Sequence, residues 1–182
     1  MNFLETAIPG VWIIEPKVFG DARGYFMETY KQSLFEEKIG NVNFIQDNES
    51  CSSRGVLRGL HYQLGEFAQA KLVRVIQGKV IDVAVDIRKS SPTFGKHVAV
   101  ELSGENKRQF FVPRGFAHGF LVLEDNTVFT YKVDNVYAPQ VEKGILYADP
   151  EVGIDWQIDT KELLLSEKDK IAPLLKDAEV FD

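Results

Sequence analysis

Apolar and polar residues alternate with a period of two along several stretches of this chain. In Val80–Arg88, the side chains Val83, Val85 and Ile87 stand opposite Asp82, Ala84, Asp86 and Arg88. In His97–Leu102, Val98, Val100 and Leu102 stand opposite His97, Ala99 and Glu101. In Thr127–Val133, Phe129, Tyr131 and Val133 share one face. Alternation of this kind predicts extended strands with two chemically distinct faces. Turn-forming residues punctuate the runs near Gly65, Gln77-Gly78, Ser91-Pro92, Ser103-Gly104, Pro113-Arg114-Gly115, Glu124-Asp125-Asn126 and Ala138-Pro139. Many short strands at regular spacing predict an antiparallel sandwich, jelly roll or barrel.

Helical signals are few. Ser33-Leu34-Phe35-Glu36 has the pattern of a capping box, and Gly40 is placed to end that helix. Ser166-Glu167-Lys168-Asp169 opens a second short helix ahead of Pro173. No repeat, low-complexity segment or flexible linker divides the chain. It reads as one mostly β domain over residues 1–182 with a helical C-terminal appendage.

Composition narrows the classes. A chain of 182 residues with 45% apolar residues, 26% charged residues and 21 aromatics is built around a packed core. Its longest apolar runs, such as Val11–Ile14 and Phe120–Leu123, are far too short to cross a membrane as a helix. The segment Met1–Gly10 lacks the basic and apolar regions of a secretory signal, so a cytoplasmic protein is expected. The sequon Asn48-Glu49-Ser50 then carries little weight. One cysteine, Cys51, excludes an intrachain disulfide and a multi-cysteine zinc site. The net charge of −6 arises in the last 34 residues, which hold 4 basic and 10 acidic side chains, while residues 1–148 are balanced at 17 and 17. Nucleic-acid binding is not expected of this balance. A small anionic ligand needs only a local basic cluster.

Phosphate-binding loops, dinucleotide fingerprints and the nucleophile elbow of hydrolases are absent. The histidines His61, His97 and His118 are not paired at metal-ligand spacing, so no bound metal is expected. His97 reads as an exposed strand residue. His61, flanked by Arg54, Gly55, Arg58 and Gly59, suits either a general base or a core histidine bonded to a carbonyl. His118, among Gly115, Ala117 and Gly119, suits either a ligand site whose small neighbours admit a close approach or a packed turn. Cys51 reads as a small buried thiol rather than a nucleophile. Tyr131 fits a core position as well as a catalytic one, and Asp169 fits the third position of a capping box.

The ordered motifs carry further information. Glu15–Gly24, Phe44–Asn48, Val56–His61, Lys71–Arg74, Asp82–Arg88, Ser91–Gly95, Pro113–Phe120, Tyr131-Lys132, Leu165–Asp169 and Ala172–Leu174 together make the chain resemble the dTDP-4-dehydrorhamnose 3,5-epimerase family along essentially its whole length. The resemblance implies a cupin-type jelly roll, a homodimer, and no metal or organic cofactor. It implies inversion at C3 and C5 of dTDP-4-dehydro-6-deoxy-D-glucose, giving dTDP-4-dehydro-L-rhamnose for dTDP-L-rhamnose synthesis.

Residue by residue, the resemblance assigns His61 as base, Asp169 as its orienting partner, Tyr131 as the acid on the opposite face and Lys71 as the stabiliser of the oxyanion at O4. Arg23, Arg58 and His118 resemble diphosphate and sugar contacts. Glu28, Gln46 and Asn48 resemble nucleotide contacts, Tyr137 the aromatic that stacks on thymine, and Glu142 and Lys168 further binding positions. Three other readings share parts of this pattern: a 3- or 5-monoepimerase on a related 4-keto sugar nucleotide, a non-catalytic cupin that binds a sugar or nucleotide, and a metal-dependent cupin oxygenase.

Overall fold

The computed structural model describes residues 1–182. The strands are β1 (Asn2–Glu5), β2 (Trp12–Glu15), β3 (Val18–Asp21), β4 (Gly24–Met27), β5 (Gln46–Ser52), β6 (Leu57–Gln63) and β7 (Lys71–Gln77). They continue as β8 (Lys79–Asp86), β9 (His97–Ser103), β10 (Gln109–Val112), β11 (Phe116–Val122), β12 (Thr127–Val133) and β13 (Glu142–Gly144). Two helices, α1 (Gln32–Lys38) and α2 (Glu167–Lys170), complete the regular structure together with four short 3-10 turns. Every turn signal read from the sequence falls between strands or at a strand end.

Strands β1-β2-β10-β7-β12-β5 form a six-stranded antiparallel sheet, and β13-β6-β11-β8-β9 form a five-stranded one. A core of 14 buried residues draws on both sheets, with Val73, Phe110 and Phe129 from one and Val80, Phe116 and Phe120 from the other. Phe120 and Phe129 stack at 3.9 Å across it. This is the jelly-roll arrangement that the resemblance implied. The hairpin β3–β4 belongs to neither sheet and exposes Val18, Phe19, Tyr25 and Phe26.

The alternation in β8 is real, yet neither of its faces is solvated. Val80 and Ala84 join the core between the sheets, whereas Ile81, Val83 and Val85 pack outward under Ile145, Val152, Trp156 and Leu175. Asp82 and Asp86 therefore lie inside, both fully buried. The C-terminal segment covers the outer face of the five-stranded sheet mostly as irregular chain. Its helical content is the four-residue α2 and two 3-10 turns, so the expected helical appendage is largely a strap.

Two local expectations need correction. Ser33 is not an N-cap: α1 starts after Lys31, with no side chain capping it, because Leu34 and Phe35 already donate to the Lys31 carbonyl. Gly40 does end the helix, with φ +113° and its N–H on the Phe35 carbonyl. Cys51 is exposed on the edge strand β5 rather than buried. Ser52, next along the strand and on its other face, is buried, so Cys51 lies on the uncovered face of β5.

Candidate active site

The interior between the sheets opens into a cavity of two adjoining lobes, of about 400 and 380 Å³. Four side chains line both lobes: His61, Lys71, His118 and Tyr131. Their placement follows from register. His61 on β6 is the direct partner of His118 on β11, and Tyr131 on β12 lies between Asn48 on β5 and Val73 on β7. The histidines therefore come from one sheet, and Tyr131 and Lys71 from the other. One lobe adds Gln46, Asn48, Tyr137 and Glu142, and the other adds Arg58, Lys168 and Asp169.

The glycines beside the histidines serve the strands, not a ligand. A Cβ on Gly59 would lie 2.5 Å from Gly119 Cα, and one on Gly119 would lie 2.8 Å from the Arg58 carbonyl. Neither glycine has room for a side chain where the β6–β11 ladder shifts register. That irregularity leaves His61 and His118 side by side at the cavity wall.

Each histidine holds a carboxylate. His61 Nε2 is 2.5 Å from Asp169 Oδ1, and His118 Nε2 is 2.8 Å from Asp82 Oδ1. Burial alone would raise the Asp169 carboxyl, but the hydrogen bond with His61, the nearby charge and Ser166 outweigh it and hold the group below its ordinary range. Ser166 accepts from the Asp169 N–H at 3.3 Å, so the helix cap expected there is formed by the backbone while the side chain is free to meet His61. Burial dominates at Asp82 and pushes its carboxyl up against the pull of His118 and Lys71. Lys71 is half-buried, and desolvation pushes it down to about 8, with Asp82 and Glu142 opposing. Burial raises the Tyr131 hydroxyl, Arg58 opposing and Glu142 and Tyr137 adding to the rise, so it stays protonated at neutral pH. Near the mouth, Glu142 Oε2 accepts from Lys168 at 2.9 Å and from the Tyr137 hydroxyl at 3.2 Å.

Comparison with known proteins places the chain in a family. Residues 5–177 match the family model described as dTDP-4-dehydrorhamnose 3,5-epimerase. The chain belongs to that family. It is 57% identical over 182 residues to the dTDP-4-dehydrorhamnose 3,5-epimerase of Shigella flexneri, covering 100% of this chain and 99% of that protein. The crystal structure of the Elizabethkingia anophelis enzyme of the same name superposes with a TM-score of 0.94 at 53% identity, over 97% of each chain. A Legionella pneumophila dTDP-6-deoxy-D-glucose-3,5-epimerase, solved in complex with dTDP-4-keto-L-rhamnose, gives a TM-score of 0.94 at 51% identity, over 98% of this chain and 94% of that one.

Eleven of the thirteen residues singled out in the sequence, those at positions 46, 48, 58, 61, 71, 118, 131, 137, 142, 168 and 169, line the two lobes. Arg23 and Glu28 do not. Arg23 sits in the turn of the β3–β4 hairpin, 90% exposed and bonded to Asp21, and Glu28 is exposed just beyond β4. His97 is not fully exposed either, since its Nδ1 lies 3.1 Å from the Val152 carbonyl. Sequence reasoning missed Asp82, the partner of His118, because an acidic residue alternating with valines looks like a solvated strand face. It also missed Gln63 and Gln69, which line the first lobe. No group of three or more His, Cys, Asp and Glu side chains is arranged to hold a metal ion. No helix is long and apolar enough to cross a membrane.

Proposed function

We propose that this protein inverts C3 and C5 of dTDP-4-dehydro-6-deoxy-D-glucose, producing dTDP-4-dehydro-L-rhamnose without a cofactor. Both carbons flank the C4 ketone, so loss of either proton leaves an enolate. Inversion then needs a base on one face of the ring and an acid on the other. The observation that carries the reading is that His61 and Tyr131 come from opposite sheets and line the same cavity.

In this scheme His61 removes the proton, and Asp169 orients the imidazole and balances its charge once it is protonated. Lys71 stabilises the enolate oxygen as a fixed cation. The Tyr131 hydroxyl, kept protonated by burial, delivers a proton to the far face. Arg58 and His118 contact the diphosphate and sugar, Gln46 and Asn48 contact the nucleotide, Tyr137 stacks on thymine, and Glu142 and Lys168 bind at the mouth.

We further propose a cytoplasmic homodimer in which residues 1–182 fold as one domain. The exposed apolar residues of the β3–β4 hairpin support the dimer, since an uncovered patch of that kind marks an interaction surface. Arg23 and Glu28, outside their own cavity, would then serve the partner's. Mixing Arg23→Ala and His61→Ala subunits checks the exchange: a mixed dimer with one fully restored site should recover activity that neither parent has.

Tyr131→Phe tests the chemistry most directly. It keeps the base, its partner and the lysine, so deuterium from D₂O should still enter the substrate at one or both carbons. Little L-configured product should form, because His61, its proton exchanged for deuterium from solvent, reprotonates the face it deprotonated. Inversion of both centres at the parental rate would make another group the acid. A folded variant that neither exchanges nor inverts would place Tyr131 in enolate formation instead.

A further inference from the structure

The loop between β12 and the turn Pro139–Val141 covers residues 134–138 and has no regular secondary structure. Its tip is open, with Val136 49% and Tyr137 57% exposed. Exposed irregular chain of this kind is ordinarily the least ordered part of a fold. Here its backbone is held from beneath by side-chain amides. Gln63, the last residue of β6, is 4% exposed. Its Nε2 donates to the Val136 carbonyl at 3.0 Å and to the Phe67 carbonyl at 2.7 Å, and its Oε1 accepts the Ala138 N–H at 2.7 Å. Those contacts grip the chain immediately before and immediately after Tyr137. Gln69 Nε2 adds a second donor to the Val136 carbonyl at 3.2 Å and bonds the Asn135 carbonyl at 2.8 Å. Asn135 in turn donates to the Glu66 carbonyl at 2.7 Å. Across the β6–β13 ladder, Gln63 is the register partner of Glu142, the acceptor for the Tyr137 hydroxyl.

We infer that Gln63 is a positioning residue that holds the Tyr137 ring in place before substrate arrives, so that it governs affinity for the nucleotide half rather than the rate at the sugar. The inference rests on the proposed stacking role of Tyr137. Its physical basis is preorganisation: a loop that had to be ordered on binding would subtract that ordering from the affinity. The chemistry at Gln63 is specific, since its site presents one N–H and two carbonyls. An amide satisfies all three, whereas a carboxylate of the same size satisfies only the first.

Gln63→Glu is therefore the informative change. Calorimetry with dTDP and steady-state kinetics with the 4-keto sugar nucleotide should show Kd and KM rising about tenfold with kcat within about twofold of the parent. Tyr137→Ala should also weaken dTDP, and adding Gln63→Glu to it should weaken binding no more than about twofold further. Equal weakening by Gln63→Glu in both backgrounds, or a fall in kcat at unchanged KM, overturns the inference. A Tyr137→Ala protein that binds dTDP like the parent overturns the stacking reading itself, whatever Gln63→Glu does. Gln69→Ala provides a second arm if Gln63→Glu does not fold. It removes one of two donors to the same carbonyl and should weaken dTDP about threefold, and unchanged affinity there overturns the brace.

Discussion

Two histidines stand side by side in the β6–β11 ladder, each paired with a carboxylate from another element, alike in chemistry and unlike in setting. The His61 and Asp169 side chains are 24% and 5% exposed, whereas those of His118 and Asp82 are 7% and 0% exposed. Asp169 rides on a four-residue helix of the C-terminal strap, close to Lys168 and capped by Ser166. Asp82 lies in the middle of β8, paired by backbone to strands on both sides, and its Oδ2 has no hydrogen-bond partner. A base must reach its substrate and tolerate a change of charge at every turnover. The open pair, with an ionised partner, is built for that. The closed pair is expensive to recharge, and its rigid carboxylate suits it to holding His118 in one orientation.

The contrast predicts a crossed pattern of defects. His61→Ala should cost about 10²–10⁴-fold in deuterium wash-in at both carbons, with dTDP binding close to the parent. His118→Ala should keep measurable wash-in but lose about 1–3 kcal/mol of stability in denaturant titration, because Asp82 is left without its partner at a fully buried site. Equal loss of exchange in both variants would erase the distinction between the pairs. Asp169→Asn should lower turnover by about 10²-fold through the same base, since an amide neither fixes the imidazole in the same tautomer nor balances its charge. Unchanged turnover would remove Asp169 from the catalytic set.

The alkaline side of the pH profile sharpens the comparison further. Lys71, pushed down to about 8 by burial, is a cation below that value and neutral above it. Activity that depends on its charge should therefore be present at neutral pH and decline as pH rises through about 8. Asp82→Asn removes one of the two carboxylates that oppose the shift, so the decline should begin at lower pH. An unmoved limb would mean that Asp82 acts on His118 alone. The smallest effect belongs to Ser166→Ala. Loss of the cap costs about 1 kcal/mol, so kcat should fall no more than about fivefold, and Ser166→Thr should restore it.

Strand positions, turns and the face shared by Phe129, Tyr131 and Val133 were legible because they depend on local alternation and on residues that stop it. What alternation cannot say is what covers each face. The outward side of β8 is roofed by a strap from residues 145–180, so Asp82 went unrecognised as part of a fully enclosed strand. Cys51 was misread for the complementary reason: its face of β5 is left uncovered while that of Ser52 is buried, and which face is covered is decided by tertiary packing, not by neighbours in sequence. The helix at Ser33 shows a local pattern overruled by a start two residues earlier, where Phe35 packs among Ile14, Leu72 and Phe111. Gln63 and Gln69 carried no signal at all, because an amide that bonds backbone carbonyls leaves no spacing rule behind. The chemistry of His61, Tyr131, Lys71 and Asp169 came from resemblance to a family. Local physics had left each with a structural alternative.

His61 and Asp169 are 108 residues apart in sequence. Every strand of both sheets precedes Asp169 in the chain, so the carboxylate that completes the base is added last of all these parts. Docking of the strap, through the backbone bonds between Leu164 and the residues Gly55 and Leu57, is what brings that carboxylate to the histidine. Proton abstraction at full efficiency thus reports that residues 145–180 have found their place over the five-stranded sheet.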